Sequence, residues 1–149
     1  MHFEGTVQID ADRDKVWAFL VDPNQVGSCG PGVESIEVID DTHYKATAKV
    51  GVGFISARFV VNMEMVDPEP PNKANIKAHG QAPGSAVDAT ATMALSDGED
   101  GGTQMDWQAD VNISGTLASV GARMIEGTAN KMIGQTFECM RAKLETPAA

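Results

Sequence analysis

The sequence predicts an α+β fold in which one curved antiparallel sheet of about seven strands wraps around a long C-terminal helix. The first observation is a succession of short runs that alternate apolar and polar residues, separated by turn residues, as in strands joined by hairpins. The second is a pair of short helical patterns directly after the first run. The third is an apolar stripe at helical spacing from Gly115 to about Leu144. This order favours one sheet with the helices on one face.

Each element follows from its local pattern. The first strand is predicted at residues 2–9, and a short helix over residues 13–21 follows, with Asp10 or Asp12 as its N-cap. A second, brief helical turn precedes Cys29. Six further strands are predicted at residues 33–39, 43–50, 54–66, 73–80, 85–95 and 103–113.

The connections between the strands contain typical turn residues. The segment from Asp67 to Asn72 is the clearest loop, and Gly51-Val52-Gly53 is typical of a hairpin turn because no helix follows it. No repeat or linker divides the chain, so residues 1–149 are predicted to form one domain. A sheet that curls around a helix and encloses a space with it is called a helix-grip, and this is the predicted architecture.

The composition limits the classes of protein to consider. The 149 residues include 21 Asp and Glu against 11 Lys and Arg, and the net charge of −10 repels nucleic acid and gives no help toward an anionic membrane. No apolar run is long enough to span a membrane and no signal peptide is visible, so we expect a cytoplasmic protein. Cys29 and Cys139 lack the spacing of a metal site. They could pair, but in such a chain we expect both to be reduced.

Small side chains recur on the predicted inward faces of the strands. The alanines in these positions are Ala46, Ala48, Ala57, Ala74, Ala78, Ala89, Ala91 and Ala109. Two interpretations stay open. The helix either lies close to the sheet in a solid core, or the two enclose an apolar cavity that binds a hydrophobic small molecule. Inward methionines such as Met63, Met93 and Met105 suit a core or an adaptable cavity lining.

The predicted long helix carries Gly121, Gly127 and Gly134 in its interior, each of which costs roughly 1 kcal/mol relative to alanine. Glycines on the sheet-facing side would open space beneath the helix, whereas glycines on the outer side would matter for bending or docking. Together with the alanines, the first alternative predicts a helix that forms one wall of a cavity.

The inward positions of the long strands lack side chains that could catalyse a reaction. His2, His43 and His79 all fall on the outward phase, and no Asp, Glu, Lys or Cys falls on the inward one. General acid–base catalysis needs a titratable group near the reacting atom. Nucleophile motifs and metal-spaced His/Cys clusters are also absent from the sequence. We therefore predict a protein that is not an enzyme and has no catalytic residues, metal or cofactor.

Several short motifs occur along the chain in a characteristic order. They are Phe3-Glu4-Gly5; Val16-Trp17, Leu20 and Asp22-Pro23; Cys29-Gly30-Pro31-Gly32-Val33-Glu34; Tyr44 with Ala46; Val50-Gly51-Val52-Gly53; Phe59; Gly102-Thr103 with Trp107; and Gly115-Thr116-Leu117-Ala118 leading to Gly121 and Arg123. With these motifs the chain resembles the CoxG family of carbon monoxide dehydrogenase subunits, within the START-like (SRPBCC) helix-grip superfamily, over nearly its whole length.

The resemblance implies a non-catalytic accessory protein that serves a molybdenum hydroxylase of the CO dehydrogenase type. It also implies a lipophilic ligand, such as a quinone or a lipid, and recruitment of the enzyme to the inner face of the cell membrane. Many members carry a C-terminal extension that could act as an anchor. This sequence ends at Thr146–Ala149 without one, so contact between this chain and a membrane stays open.

We predict that the ligand lies between helix and sheet and reaches this position past the loops around Gly51–Gly53 and the start of the long helix. The predicted lining residues are Phe59, Val61, Met63, Ala78, Ala89, Ala91, Met105, Trp107, Leu117, Val120 and Met124. Two other functions stay open: an enzyme of the cyclase or hydrolase type from the same superfamily, and a protein-docking module with a solid core.

Overall fold

The computed structural model describes residues 1–53 and 55–145. The elements in chain order are β1 (His2–Ile9), α1 (Arg13–Leu20), α2 (Pro23–Ser28), β2 (Val33–Val38), β3 (His43–Val52), β4 (Ile55–Glu69), β5 (Lys73–Ala82), β6 (Ser85–Asp97), β7 (Thr103–Gly115) and α3 (Ala122–Glu145). Short 3₁₀ turns occupy Glu99–Gly101 and Thr116–Val120. The predicted strand start at residue 54 and the chain end at residues 146–149 lie outside the described residues.

The seven strands form one antiparallel sheet in the order β1-β7-β6-β5-β4-β3-β2. Consecutive strands from β2 to β7 are neighbours, whereas β1 pairs with the last strand, where Phe3 lies opposite Ala109. Strands β1 and β2 are therefore the two edges of an open, curved sheet, and α1 and α2 connect them. The predicted α+β helix-grip, with two short helices after the first strand, is confirmed.

Aspartate caps begin both short helices. Asp12 precedes α1, and its carboxylate accepts a hydrogen bond from the Lys15 backbone N–H at 2.8 Å, so Asp12 rather than Asp10 is the N-cap. Asp22 precedes α2 and accepts from the Asn24 backbone N–H at 3.0 Å, while Pro23 occupies the first helical position. The local sequence thus specifies where both helices begin.

The start of the long helix differs from the prediction. Strand β7 continues to Gly115, a 3₁₀ turn follows, and α3 begins only at Ala122. The cause is the pair of glycines around the turn, since Gly115 has φ 84° and Gly121 has φ 98°, a left-handed region that interrupts an α-helix. Gly121 therefore precedes α3, and only Gly127 and Gly134 lie inside it.

Strand β4 also extends further than predicted. It runs to Glu69, so the first half of the predicted Asp67–Asn72 loop belongs to the strand. A register shift between Val66 and Glu69 accommodates this extension against β5. Such an irregularity lets a strand continue through residues that disfavour regular pairing.

Most of the buried apolar side chains form two separate clusters, and α3 contributes to both. Its C-terminal half places Met140 and Leu144 in the larger cluster, with residues of β1, α1, β6 and β7. Its first turns place Ile125 in the smaller cluster, beside Val52, Phe59 and Leu117. The helix is therefore anchored to the sheet near both ends, and its middle spans the gap between the clusters.

The two cysteines are bonded to each other, so the prediction that they are reduced was wrong. Cys29 at the end of α2 and Cys139 on α3 form a disulfide with a Cα–Cα distance of 5.5 Å. They lie 110 residues apart in sequence, a separation that carries no information about their distance in space. The fold brings them together because α2 lies beside the C-terminal half of α3.

Candidate functional site: an apolar cavity in two chambers

The space beneath the middle of α3 contains two adjoining chambers. The first has a volume of about 220 Å³ and lies between the central strands and the N-terminal half of α3. Its lining residues are Ala48, Val50, Val52, Phe59, Val61, Ala78, Gly80, Val87, Ala89, Ile113, Leu117, Ile125, Thr128, Ala129 and Met132. Nearly all of the exposed lining is carbon, so the chamber favours apolar matter.

The second chamber has a volume of about 260 Å³ and lies between β2 to β5, the α1–α2 region and α3. Its lining residues are Leu20, Val21, Pro23, Val26, Gly27, Gly30, Val33, Ile36, Tyr44, Ala46, Ala48, Val61, Met63, Glu64, Met65, Ile76 and Thr136. Ala48 and Val61 line both chambers, so the two spaces meet at these side chains.

Alanines, rather than the helix glycines, create the first chamber. Ala48, Ala78 and Ala89 project from the sheet, and Ala129 projects from the helix, so short side chains face each other across the gap. Gly127 and Gly134 are exposed, and a Cβ added to either would meet nothing within 4 Å. The interpretation that the helix glycines open this space was therefore wrong.

Six of the predicted lining residues surround the chambers. Phe59, Ala78, Ala89 and Leu117 line the first, Met63 lines the second and Val61 lines both.

The structure places the other five predicted residues elsewhere. Ala91 is absent from the described lining of both chambers. Met105 is completely buried in the larger core cluster, and Trp107 packs against that cluster, its ring centroid 5.3 Å from that of Phe137. Val120 packs against the smaller cluster, and Met124 is 45% exposed.

The second chamber includes a wall that strand periodicity could not reveal. Val26, Gly27 and Gly30 come from α2 and the residues after it. Gly27 lies directly against Ile36 Cδ1, which would overlap a Cβ at this position, so glycine allows α2 to approach the edge strand β2. The Cys29-Gly30-Pro31-Gly32 motif was the available signal, because closely spaced glycines and proline indicate a constrained backbone.

Among the polar residues that line the chambers, Tyr44 and Thr136 donate hydrogen bonds and Glu64 lies near the surface. The Tyr44 hydroxyl donates a hydrogen bond to the Asp41 carbonyl oxygen at 2.8 Å, and Thr136 Oγ1 donates to the Met132 carbonyl oxygen at 2.8 Å. Burial, followed by nearby carboxylates, raises the pKa of Tyr44. Glu64 is half-exposed, with Oε1 3.9 Å from His43 Nε2 on the outer side of the sheet. This arrangement suits burial of an apolar molecule.

The three histidines lie on the outer side of the sheet and pair with carboxylates. His2 Nδ1 is 2.8 Å from Asp110 Oδ1, His43 Nδ1 is 2.9 Å from Asp40 Oδ1 and His79 Nδ1 is 2.5 Å from Asp88 Oδ1. The hydrogen bonds to Asp110 and Asp40 raise the pKa of His2 and of His43, respectively. Across residues 1–53 and 55–145, no three His, Cys, Asp or Glu side chains are placed to hold a metal ion.

The predicted access route ends at a contact between the β3–β4 turn and α3. Met124 Sδ lies directly against Gly53, where a Cβ would overlap it. Neighbouring Val52 and Ile125 line the first chamber.

None of the helices described for residues 1–53 and 55–145 has the length and hydropathy of a membrane-spanning segment.

These features define a class by its fold: helix-grip proteins with an apolar space between sheet and helix. The profile of the carbon monoxide dehydrogenase CoxG family matches residues 5–145, so the chain belongs to this family. No curated protein sequence matches the chain significantly.

Solved structures share the fold over almost the whole chain. A conserved protein from Geobacillus kaustophilus superposes with a TM-score of 0.90 at 24% identity, covering 97% of this chain and 95% of that one. The Zhui aromatase/cyclase from Streptomyces sp. R1128 superposes with a TM-score of 0.73 at 17% identity, covering 97% of this chain and 93% of that one. A START superfamily protein from Mycobacterium smegmatis superposes with a TM-score of 0.72 at 11% identity, covering 97% of each chain. At these identities the likeness concerns the fold alone.

Proposed function

We propose that the chain is a non-catalytic accessory protein that holds a hydrophobic small molecule in the two chambers beneath α3. The observation that carries this proposal is the pair of carbon-lined spaces, of about 220 and 260 Å³, where the sheet and the helix both present small side chains. Ligand pockets usually measure about 300–1,000 Å³. An elongated molecule such as a quinone or a lipid, extending past Ala48 and Val61, would use both chambers.

Binding would be driven by removing apolar surface from water. The gain is roughly 25 cal/mol for each Å² of apolar surface buried. The ligand would pass between Gly53 and Met124, because this contact lies next to first-chamber residues and Met124 is a flexible, half-exposed side chain. The engaged hydroxyls of Tyr44 and Thr136 support storage or transport of the ligand over its conversion.

The experiment is a fluorescence titration with N-phenyl-1-naphthylamine, a neutral apolar probe, using wild-type protein and Ala89→Phe. The new ring would fill the first chamber, so we expect probe affinity to fall at least about tenfold, equivalent to ~1.4 kcal/mol. Ala122→Phe is the matched control, because Ala122 is exposed at the start of α3 and its substitution should leave binding unchanged.

Unfolding of the same variants tests the rival interpretation of a solid docking module. If the chamber is empty, Ala89→Phe should leave the free energy of unfolding unchanged or raise it, as cavity filling does. In a close-packed core the same substitution would cost about 1–3 kcal/mol. Absence of probe binding together with that loss of stability would refute the proposal.

The partner that we propose is a molybdenum hydroxylase of the CO dehydrogenase type, on the basis of family membership. The net charge of −10 favours a basic surface on that partner. We expect the tagged chain to co-elute with such an enzyme from the same genome during size-exclusion chromatography at low salt and to separate as salt is raised. Separate elution at micromolar concentrations and low salt would contradict this part of the proposal.

A further inference from the structure

The wall of the second chamber formed by residues 21–32, here called the α2 wall, has a single buried anchor. Val21, Pro23, Val26, Gly27 and Gly30 of this segment line the chamber. All residues of the segment are exposed or half-buried except Cys29, which is 5% exposed. The other apolar contacts of the α2 wall come from half-buried residues such as Val26, which packs against the larger core cluster, and Gly27, which lies against Ile36. A segment with so little fully buried apolar surface is of the kind that opens locally.

The anchor is the disulfide, and it joins two walls of the same chamber. Cys139 is on α3, and Thr136, about one helical turn earlier, lines the second chamber opposite the α2 wall. A second connection, the hydrogen bond from Lys143 Nζ to Ser28 Oγ, lies at the exposed surface. The covalent bond thus fixes the distance between the α2 wall and α3.

The two cysteines of the bond differ in burial. Cys139 is half-buried whereas Cys29 is buried, so we expect an incoming thiolate to attack Cys139 Sγ. Attack by one thiolate of a dithiol breaks the S–S bond, forms a mixed disulfide on Cys139 and releases Cys29 as a thiolate, which takes up a proton. The second thiol of the dithiol then displaces Cys139. The protein gains two electrons and two protons, and the dithiol becomes a disulfide.

We propose that the Cys29–Cys139 disulfide is a redox-sensitive latch on the second chamber. In the oxidised protein the α2 wall is held against α3 and covers one side of the chamber. Reduction by a dithiol releases the wall, which exposes this side of the chamber to solvent and speeds ligand exchange. This inference rests on the proposed ligand-binding function, but the movement of the wall can be measured without any ligand.

The first measurement is hydrogen–deuterium exchange of the intact protein, oxidised and after reduction with dithiothreitol. We expect amides of residues 21–32 to exchange about tenfold faster or more after reduction, while the central strands β4 to β7 stay protected. The variant Cys29→Ser/Cys139→Ser should exchange like the reduced protein with or without dithiothreitol. Unchanged exchange in residues 21–32 would overturn the latch, because the disulfide would then not restrain the α2 wall. Loss of protection in every strand would also overturn it, because the disulfide would then stabilise the whole fold and not this segment.

The second measurement is the dissociation rate of N-phenyl-1-naphthylamine by stopped flow in the same samples. We expect dissociation about tenfold faster after reduction of the wild-type protein and no effect of dithiothreitol on the double serine variant. Equal rates in both redox states would overturn the latch. If the probe binds neither state, the proposed function fails, and the exchange experiment still decides whether the wall is released.

Discussion

Gly5 positions Trp107 by leaving room for it. The two residues lie opposite each other on β1 and β7, and a Cβ added to Gly5 would be 3.0 Å from Trp107 Nε1. The indole can therefore lie across β1 and reach Phe137 on α3. One absent side chain thus helps to set how the edge of the sheet contacts the helix.

We predict that Gly5→Ala lowers the free energy of unfolding by about 1 kcal/mol, because the indole must move away from Phe137. Gly51→Ala is the matched control, since Gly51 is also in a strand but its Cβ would have no atom closer than 4.0 Å. The control should be neutral or slightly stabilising. Urea unfolding of both variants measures the difference, and equal stabilities would contradict the role assigned to Gly5.

Asp40 organises the β2–β3 turn through its carboxylate. Its Oδ1 accepts hydrogen bonds from the Thr42 backbone N–H at 2.9 Å and from the His43 backbone N–H at 2.8 Å. The hydrogen bond from Thr42, and next the one from the His43 side chain, lower the pKa of Asp40 from 3.8 to about 2. Because the folded state has the lower pKa, this stabilisation is present above about pH 4 and is lost as the pH falls through about 2.

We predict that Asp40→Asn is less stable than the wild-type protein at pH 5 and that the gap narrows as the pH falls from 4 to 2. Asp40 raises the pKa of His43. The stabilisation that comes from protonated His43 is therefore complete below pH 6.5 and is lost as the pH rises through the pKa of His43 in the folded protein. At pH 5 the measured free energy of unfolding contains the contributions of both Asp40 and His43. Denaturant unfolding at several pH values provides the test. If the difference in free energy of unfolding between the two proteins does not depend on pH, ionisation of Asp40 is excluded as the source of that difference.

At the scale of elements, α3 is held in place by buried side chains near both of its ends. Ile125 belongs to one core cluster, while Met140 and Leu144 belong to the other. The residues between them, including Thr128, Ala129 and Met132, face open space instead of packed side chains. This division explains how the helix can be firmly placed above an incompletely filled interior.

Replacing the exposed glycines of α3 by alanine should make the protein more stable. Gly127→Ala and Gly134→Ala should each raise the free energy of unfolding by up to about 1 kcal/mol, because a Cβ fits freely and alanine favours helix. Gly121→Ala is the matched control: it also has open space, but its φ of 98° strains an alanine and should destabilise the protein. Thermal unfolding compares the three variants. Destabilisation by both helix substitutions would mean that these glycines are needed for contacts or bending.

The sequence predicts the strands well because alternation reports directly which face is buried, as Phe59 and Met65 on β4 illustrate. It misses the start of α3 because Thr116–Val120 is compatible with helix and the turn depends on the φ of Gly115 and Gly121. It also misses the α2 wall and the disulfide. Contacts such as Gly27 with Ile36 depend on tertiary packing, which periodicity within one element does not encode.

The whole molecule combines two properties. It belongs to the CoxG family of carbon monoxide dehydrogenase subunits, and its interior contains two chambers lined by apolar side chains. The strands β3 to β7 form a stable frame, α3 covers it, and α2 closes one side under a disulfide. On this account both core clusters maintain the fold, and the smaller one also forms part of the proposed ligand site, because its four buried residues line the first chamber.

Native mass spectrometry tests the central claim most directly. The wild-type protein, purified without detergent and incubated with a total bacterial lipid extract, should retain one apolar molecule per chain, and Ala89→Phe should lose it while Ala122→Phe keeps it. The account would be contradicted if the wild-type protein carried no added mass, or if Ala89→Phe retained the same adduct at the same abundance.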